Sequence, residues 1–179
     1  MKYKFTDETR VIEGVTLNRI EALISFGFVK AGDKGGWIEG ESNLTQYGNA
    51  WVFGNASVSG DASVSGNAWV SGNASVSGDA SVSGNAWVSG NAWVSGNAWV
   101  LGDASVSPIC ISGLKYHVTI TDTSIRIGCQ FHPEQSWIEF TDHEILQMDG
   151  KVGLVFWRKY KSTIIGIFKA SRPGVIAES

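Results

Sequence analysis

A valine recurs every six residues through the middle of the chain, from Val52 to Val106. Most of the repeating units read Gly-Asn/Asp-Ala-Trp/Ser-Val-Ser. Because strand side chains alternate between two faces and six is even, Ala and Val face one side and the intervening Trp or Ser faces the other. The Gly-Asn or Gly-Asp pair supplies a bend, since these residues tolerate positive φ. Units of this kind cannot bury their apolar side alone, and the period therefore predicts a stacked solenoid.

The distribution of charge divides the chain into three regions. No Lys or Arg occurs from Thr45 to Val106, where Asp61, Asp79 and Asp103 are the charged residues. Both ends carry ordinary mixtures of acidic and basic side chains. We therefore predict an N-terminal cap over residues 1–44, a repeat domain over 45–108 and a C-terminal module over 109–179.

The hexads resemble those of the hexapeptide-repeat family over roughly residues 48–107. That resemblance implies a left-handed parallel β-helix with three hexads in each triangular coil. An 18-residue coil has its own support in the sequence, since Trp51, Trp69 and Trp87 recur at that spacing. The predicted fold class is mainly β, with an N-terminal β cap and a small C-terminal α+β domain.

Five tryptophans occupy outward positions of the repeat: Trp51, Trp69, Trp87, Trp93 and Trp99. The first three form one column, and the last full coil carries Trp on all three faces. An indole covers about 150–250 Å², so stacked rings make an apolar patch of a size that monomers rarely leave bare. We predict that these five residues form an oligomer interface, and the resemblance implies a homotrimer. Packing on the chain's own tail and a ligand-stacking surface are the alternatives.

The stretch that leads into the repeat carries a second resemblance. The patterns V-K-A-G, G-G-W, N-L and Q-x-G-x-x-W-V stand at Val29–Gly32, Gly35–Trp37, Asn43-Leu44 and Gln46–Val52. They resemble the lead-in of phage, prophage and enterobacterial hexapeptide-repeat proteins, a group with no generally established activity. The resemblance implies a phage or prophage accessory protein.

The tail has the patterns of a mixed α+β module. Residues 115–121 and 124–129 alternate as two strands of a hairpin. A short helix is predicted from Pro133-Glu134 through Phe140, followed by a capping box at Thr141–Glu144 and a final helix after Gly150. The segment Ile127–His132, with Trp137, resembles C-terminal modules of related phage proteins.

Cations and aromatic residues gather in this tail. Cations bind phosphate and aromatic rings stack on a base, which predicts a site for a small nucleotide. The predicted ligand-binding residues are Arg126, Gln130, His132, Trp137, Arg158, Lys159 and Lys161. The alternative is a helix with one packed side and one solvated basic side.

Catalytic and metal sites have little support in the sequence. Hexapeptide acyltransferases use a histidine base near the helix, whereas His117, His132 and His143 all lie in the tail. Cys129 and His132 have the spacing of two zinc ligands, but a structural site needs four. We predict no catalytic residue, no metal and no cofactor.

The overall composition narrows the function classes. A formal net charge of −3 argues against general DNA binding, and no run of about 18 apolar residues predicts a membrane span. Two cysteines and a start without an apolar leader favour the cytoplasm, which is the host cytoplasm if the chain is phage-encoded.

The expected function is a non-enzymatic accessory binding protein, a trimeric scaffold presenting its C-terminal modules. It would counter host defence by sequestering a nucleotide immune signal or by binding a defence protein. A structural, virion-associated trimer and a hexapeptide-type acyltransferase are the alternatives.

Overall fold

A long hairpin begins the chain and leads into the repeat. The computed structural model describes residues 1–172 and divides the chain into two compact units, Met1–Pro108 and Ile109–Ser179. Strands β1 (Tyr3–Ile12) and β2 (Val15–Ala22) pair antiparallel, and β2 pairs with β3 (Lys34–Ile38). Glu13 and Gly14 both have positive φ, as a tight two-residue hairpin turn requires. A 3-10 helix, Glu41–Asn43, then precedes the first coil.

Nine hexads each form a two-residue strand that ends on the inward valine. They are β4 (Trp51–Val52), β5 (Ser57–Val58), β6 (Ser63–Val64), β7 (Trp69–Val70), β8 (Ser75–Val76), β9 (Ser81–Val82), β10 (Trp87–Val88), β11 (Trp93–Val94) and β12 (Trp99–Val100). Each strand pairs in parallel with the strand 18 residues away, as Trp51 does with Trp69. The predicted three-hexad coil is therefore confirmed, whereas its left-handed sense stays a prediction.

Three sheets form the three faces of the solenoid. The first face consists of β4, β7 and β10, and the third of β6, β9 and β12. The second face contains β5, β8 and β11, and β3 continues it at the N-terminal end, so that the same sheet extends through β2 to β1. The hairpin is thus an extension of the second face.

Alanine and valine form the solenoid core, as the even period predicts. Every Ala and Val at the inward positions from Ala50 to Ala104 is at most 1% exposed. Because the inward side chains are small, the neighbouring faces lie close together and leave little room in the solenoid interior for other side chains. Val106 departs from the pattern, since it is 54% exposed. The last of the recurring valines is therefore not part of a solenoid strand, and Ala104 forms a parallel bridge with Val88 instead.

The N-terminal residues cover the start of the first face. The Tyr3 hydroxyl donates to the Leu44 carbonyl at 2.8 Å, and Lys2 Nζ donates to the Ala50 carbonyl at 2.8 Å. Burial lowers the pKa of Lys2 to about 8. Trp51 lies beneath this cover, where its ring centroid is 6.2 Å from that of Tyr3. Trp51 is only 1% exposed, so the prediction that it belongs to an oligomer interface is wrong.

The C-terminal unit packs helices on an antiparallel sheet. The sheet order is β13 (Ile109–Ile111), β14 (Val118–Ile120), β15 (Ser124–Ile127) and β16 (Gln130–Pro133). The predicted hairpin is the β14–β15 pair. Helix α1 (Glu134–Glu139) follows, and the Thr141–Glu144 capping box starts α2 (Asp142–Ser171). Asp149 and Gly150 have non-helical dihedral angles and kink α2, so the helix predicted after Gly150 is its second part.

Candidate functional site

The most exposed of the outward tryptophans lie in the last full coil. Trp87, Trp93 and Trp99 are 46–58% exposed, and each donates its indole N–H to a serine of the preceding coil. These hydrogen bonds hold the indole rings against the solenoid surface. The three residues stand on three different faces, and their surroundings therefore decide what each can do.

On the first face, four aromatic rings form one continuous surface, which we call the aromatic patch: Phe28, Phe53, Trp69 and Trp87. The Trp69 ring is the hub, with centroid distances of 5.4 Å to Phe28, 5.5 Å to Phe53 and 6.3 Å to Trp87. Phe28 is 83% exposed. Sequence reasoning missed both phenylalanines. Phe53 follows an inward valine and was therefore outward by strand parity, whereas Phe28 lies in the segment between β2 and β3 and has no periodic signal.

The corners that precede β4, β7 and β10, beside the aromatic patch, carry asparagines. Asn49, Asn67 and Asn85 form an amide ladder in which each Nδ2 donates to the next Oδ1 at 3.1 Å. The corresponding corners before the third face carry Asp61 and Asp79. The same column ends at the exposed Asp103, next to the bridge from Ala104 to Val88, so the first-face corners carry one charge and the corners before the third face carry two.

A groove of about 650 Å³ lies between the tip of the β1–β2 hairpin and the second face. Serine and asparagine side chains of two coils line its polar side, and Trp93 stands at one end. Ile12, Val15 and Leu17 of the hairpin supply an apolar side, and Glu13 also lines it.

Arg10 connects the hairpin to the solenoid at this groove. Its Nη2 donates to the Asn55 carbonyl at 2.9 Å, and its guanidinium lies 4.6 Å from the ring centre of Trp37. Burial and the nearby charge of Arg19 lower the pKa of Arg10. Among residues 1–172, Arg10 has no carboxylate partner, because Glu8 pairs with Arg19 and Lys34 instead.

The structure distributes the residues of the predicted nucleotide site among separate surroundings. Arg126 and Trp137 are buried, where Arg126 Nε donates to the Gly128 carbonyl at 2.6 Å and Trp137 Nε1 donates to the Ile125 carbonyl at 2.8 Å. These two side chains support the fold, and the prediction that they contact a ligand is wrong for this arrangement. Trp137 packs with Ile125 and Ile127 on one side of the sheet, and strand alternation places Arg126 on the other side.

The other five predicted residues stay at or near the surface. Gln130 donates to the Met148 carbonyl at 3.4 Å, and His132 lies edge-on against Trp137 and Phe140. Burial lowers the pKa of His132. Arg158 pairs with Asp142, and Lys161 donates to the Ile138 carbonyl at 2.7 Å. Lys159 lies over Tyr160.

Lys159 belongs to a depression that the sequence did not indicate. Lys115, Lys151 and Lys159 surround Val152, Val155 and Tyr160 in a surface hollow of about 420 Å³, which we call the lysine hollow. Val155, on α2, is 67% exposed although its side chain is apolar. Within residues 1–172, none of the three ammonium groups forms an ion pair.

A second cavity of the C-terminal unit is too small for an organic ligand. It has a volume of about 40 Å³ and is lined by Tyr116, Cys129, Asp149 and Trp157, among others. That volume suits water molecules. A hydrogen bond to Asp149 raises the pKa of Tyr116 to about 12.

Residues 1–172 contain no cluster of metal-ligating side chains and no helix that could cross a membrane. No group of three or more His, Cys, Asp or Glu side chains there is placed to hold a metal ion. Across the same residues, no helix combines the length and the hydrophobicity needed to cross a membrane.

Comparison with known proteins supports the repeat architecture. A family model described as the YdcK beta solenoid repeat matches residues 80–96, which include β9, β10 and β11. No curated protein matches the chain. The chain therefore contains a segment similar to a β-solenoid repeat, and the similarity carries no activity with it.

Proposed function

We propose that this protein is a non-enzymatic binding scaffold, which assembles as a homotrimer through the aromatic patch and carries one C-terminal unit per copy. The observation that carries the proposal is the contact of Trp69 with Trp87, Phe28 and Phe53 on the first face. Patches of this kind on soluble proteins mark interaction surfaces. A second copy of the chain is the proposed occupant, and the hexapeptide-repeat resemblance supports three copies.

The second and third faces are less suited to self-association. Trp93 is separated from Trp37 on its face by Ser57 and Ser75, so its ring has no aromatic neighbour in that column. Trp99 shares its face with the Asp61 and Asp79 corners. The first face combines neighbouring aromatic rings with three asparagine corners and one charge, Asp103, which supports its use as the repeated interface of a closed ring.

Sedimentation velocity tests the assembly. The expected mass is three times the 19.2 kDa of one chain. Trp87→Ser, combined with Phe28→Ser, should give a folded monomer, because other hexads carry Ser at the position of Trp87 and Phe28 is 83% exposed. Trp99→Ser on the third face is the matched control and should stay trimeric. A wild-type monomer at micromolar concentration would refute the proposal.

The lysine hollow is the proposed binding surface of the C-terminal unit. Its three unpaired cations surround an apolar floor that includes Tyr160, and this combination suits an anionic ligand with a flat, stacking part. A small nucleotide has this chemistry. A nucleotide immune signal is therefore the proposed ligand, and the resemblance of residues 29–52 to phage and prophage proteins supports an anti-defence role in the host cytoplasm.

Nucleotide binding has a direct test. A panel of cyclic and linear nucleotides should raise the melting temperature of the wild-type protein, and Lys151→Gln with Lys159→Gln should remove the increase. Lys169→Gln, an exposed lysine near the end of the same helix, is the control and should leave it intact. Absence of a melting-temperature shift across the panel would contradict nucleotide binding. Capture of a defence protein by the lysine hollow would support the alternative that the hollow binds a protein.

The proposal that the protein is not an enzyme rests on the repeat chemistry. Among the hexads of residues 48–102 there is no His, Lys or Arg to deprotonate an acceptor or bind a coenzyme phosphate. Acetyl-coenzyme A turnover by the purified protein, lost on His132→Ala, would favour the acyltransferase alternative instead.

A further inference from the structure

The second face has a recess between two tryptophans. In its column, Trp37, Ser57, Ser75 and Trp93 follow one another in register on successive strands. Adjacent strands lie about 4.8 Å apart, so the two serines leave a gap about 10 Å long between the indoles. The first face has no such gap, because Trp51, Trp69 and Trp87 fill every strand of its column.

The hairpin turns this recess into a groove. Its tip, with Ile12 and Glu13, lines the same space as Ser75, Ser77 and Trp93. The Arg10–Asn55 hydrogen bond holds the hairpin against the solenoid at the end nearest Trp37. A volume of about 650 Å³ falls within the range of small-molecule sites.

The lining of the groove combines hydroxyl groups with an exposed indole. Ser57, Ser59, Ser75 and Ser77 contribute hydroxyl groups. Ser57 donates to Ser75 at 3.5 Å and Ser77 accepts from Trp93 Nε1 at 3.4 Å, and a hydroxyl with one such bond can still form another. Asn55 and Asn73 add amides at the edge. Trp93 is 58% exposed and presents an apolar ring beside them. A molecule with many hydroxyl groups on one side and an apolar C–H face on the other matches both features.

Charge narrows the class of molecule further. Arg10 is the cation of the groove lining, and Glu13 is the carboxylate. Arg10 has no carboxylate partner among residues 1–172, whereas the neighbouring Arg19 has one in Glu8. The Arg10 guanidinium, whose Nη2 bonds to the Asn55 carbonyl, can pair with one carboxylate on the ligand, and a polyphosphate would require more cations.

We infer that the groove between the β1–β2 hairpin and the second face binds a pyranose sugar that carries a carboxylate, a uronic acid. A sugar ring stacks on Trp93, its hydroxyl groups bond to the serines of the two Trp-free strands, and its carboxylate pairs with Arg10. The inference goes beyond the proposed scaffold function. It depends on neither the aromatic patch nor the lysine hollow, since the groove shares no residue with either of them.

The hexad itself supplies the variants that test this site. Ser75→Trp places in the recess a residue that the same coil already carries at Trp69, so the variant is expected to fold while the groove is filled. Ser81→Trp makes the same change on the third face and is its control. Trp93→Ser removes the stacking ring, and Trp99→Ser is the corresponding control.

The probes are glucuronic, galacturonic and mannuronic acid with glucose, galactose and mannose as their neutral counterparts, titrated by ligand-observed NMR up to millimolar concentrations. At least one uronic acid should bind to the wild type with at least tenfold preference over its neutral sugar. Ser75→Trp should abolish binding and Trp93→Ser should weaken it at least tenfold, while both third-face controls stay within twofold. Arg10→Gln should remove the preference for the acid.

Three results would overturn the inference: no saturable binding of any of the six sugars, unchanged binding by Ser75→Trp, or equal losses in Trp93→Ser and Trp99→Ser. Thermal unfolding of each variant checks that it is folded. Sedimentation of the same samples reports the assembly separately, so a failure of the trimer and a failure of the groove give different results.

Discussion

The indole of Trp51 meets the ring of Phe26 edge to face, with the two centroids 5.4 Å apart. Phe26 belongs to the segment between β2 and β3, whereas Trp51 begins the first solenoid strand. This contact joins the N-terminal cover to the first coil. Trp51 is therefore a core residue, although its side chain points away from the solenoid interior.

Replacing Trp51 by Ser should strongly destabilise the first unit. Truncation of a buried Trp typically costs about 3–5 kcal/mol, because apolar contacts are lost and a cavity stays behind. Trp99→Ser, at the same hexad position but 46% exposed, should change stability by less than about 1 kcal/mol. Urea unfolding followed by circular dichroism measures both. Equal midpoints for the two variants would contradict the assigned role of Trp51.

Gly36→Ala should also destabilise the cap. A Cβ at Gly36 would lie 2.6 Å from the Ala56 carbonyl oxygen and 2.6 Å from Val52 Cγ1, so β3 would have to move away from the first coil. Overpacking of this kind typically costs about 1–3 kcal/mol. Gly40→Ala is the control, because its nearest neighbour, Ser42 Oγ, would lie 3.7 Å from the new Cβ. A thermal midpoint of Gly36→Ala at or above that of Gly40→Ala would argue against this packing.

Asp79→Asn should stabilise the solenoid. Asp61 and Asp79 occupy consecutive corners of one column, where like charges one strand apart repel each other by about 0.2–1 kcal/mol. The first-face corners hold asparagines, whose amides bond from coil to coil at 3.1 Å. The gain should be largest at low ionic strength, since salt screens exposed charges.

The converse change, Asn67→Asp, serves as the control. It removes the donor to Asn85 and should lower the melting temperature. Differential scanning calorimetry at two salt concentrations measures both variants. A lower melting temperature for Asp79→Asn in low salt would show that repulsion in the aspartate column is not limiting.

The stability of the C-terminal unit should decrease in mild acid through His132. Burial lowers the pKa of this imidazole, whose Nε2 has no hydrogen-bond partner within residues 1–172. In the unfolded chain a histidine titrates near pH 6.5. Below that pH the unfolded state binds more protons than the folded state. The contribution of neutral His132 to stability is therefore fully present above about pH 6.5 and is lost as the pH falls towards the lowered pKa.

His132→Phe should flatten this dependence between about pH 7 and 5 while keeping the contacts with Trp137 and Phe140. Unfolding followed by intrinsic fluorescence at several pH values measures the effect. The same comparison at pH 8, where the imidazole is neutral in both states, is the internal control. An unchanged slope in the variant would exclude His132 as the cause.

Several features of the fold were predictable because their causes are local and repeated. Val70 and Ala68 point inward because of strand parity, and every coil repeats the same hydrogen bonds at a spacing of 18 residues. The capping box at Thr141–Glu144 is equally local, since both partners lie within one helical turn. Such features need no knowledge of distant residues.

The candidate sites were harder to predict, because their residues come from distant parts of the chain. Arg10 reaches Asn55 only after the hairpin has folded onto the second face. Lys115 joins Lys151 and Lys159 through the packing of the sheet against α2. The predicted tail cluster failed at Arg126 and Trp137 for the same reason, since composition cannot tell which side of a strand or helix the core will cover.

The sequence by itself determined the coil, because a six-residue period sets strand parity and an 18-residue recurrence sets the columns. Only the tertiary structure decided which outward tryptophans are accessible. Trp51 and Trp87 have the same hexad position and opposite environments, 1% and 50% exposed. The physical reason is that exposure depends on which other segment lies over a face, and residues 3 and 26, far from the repeat period, cover Trp51 alone.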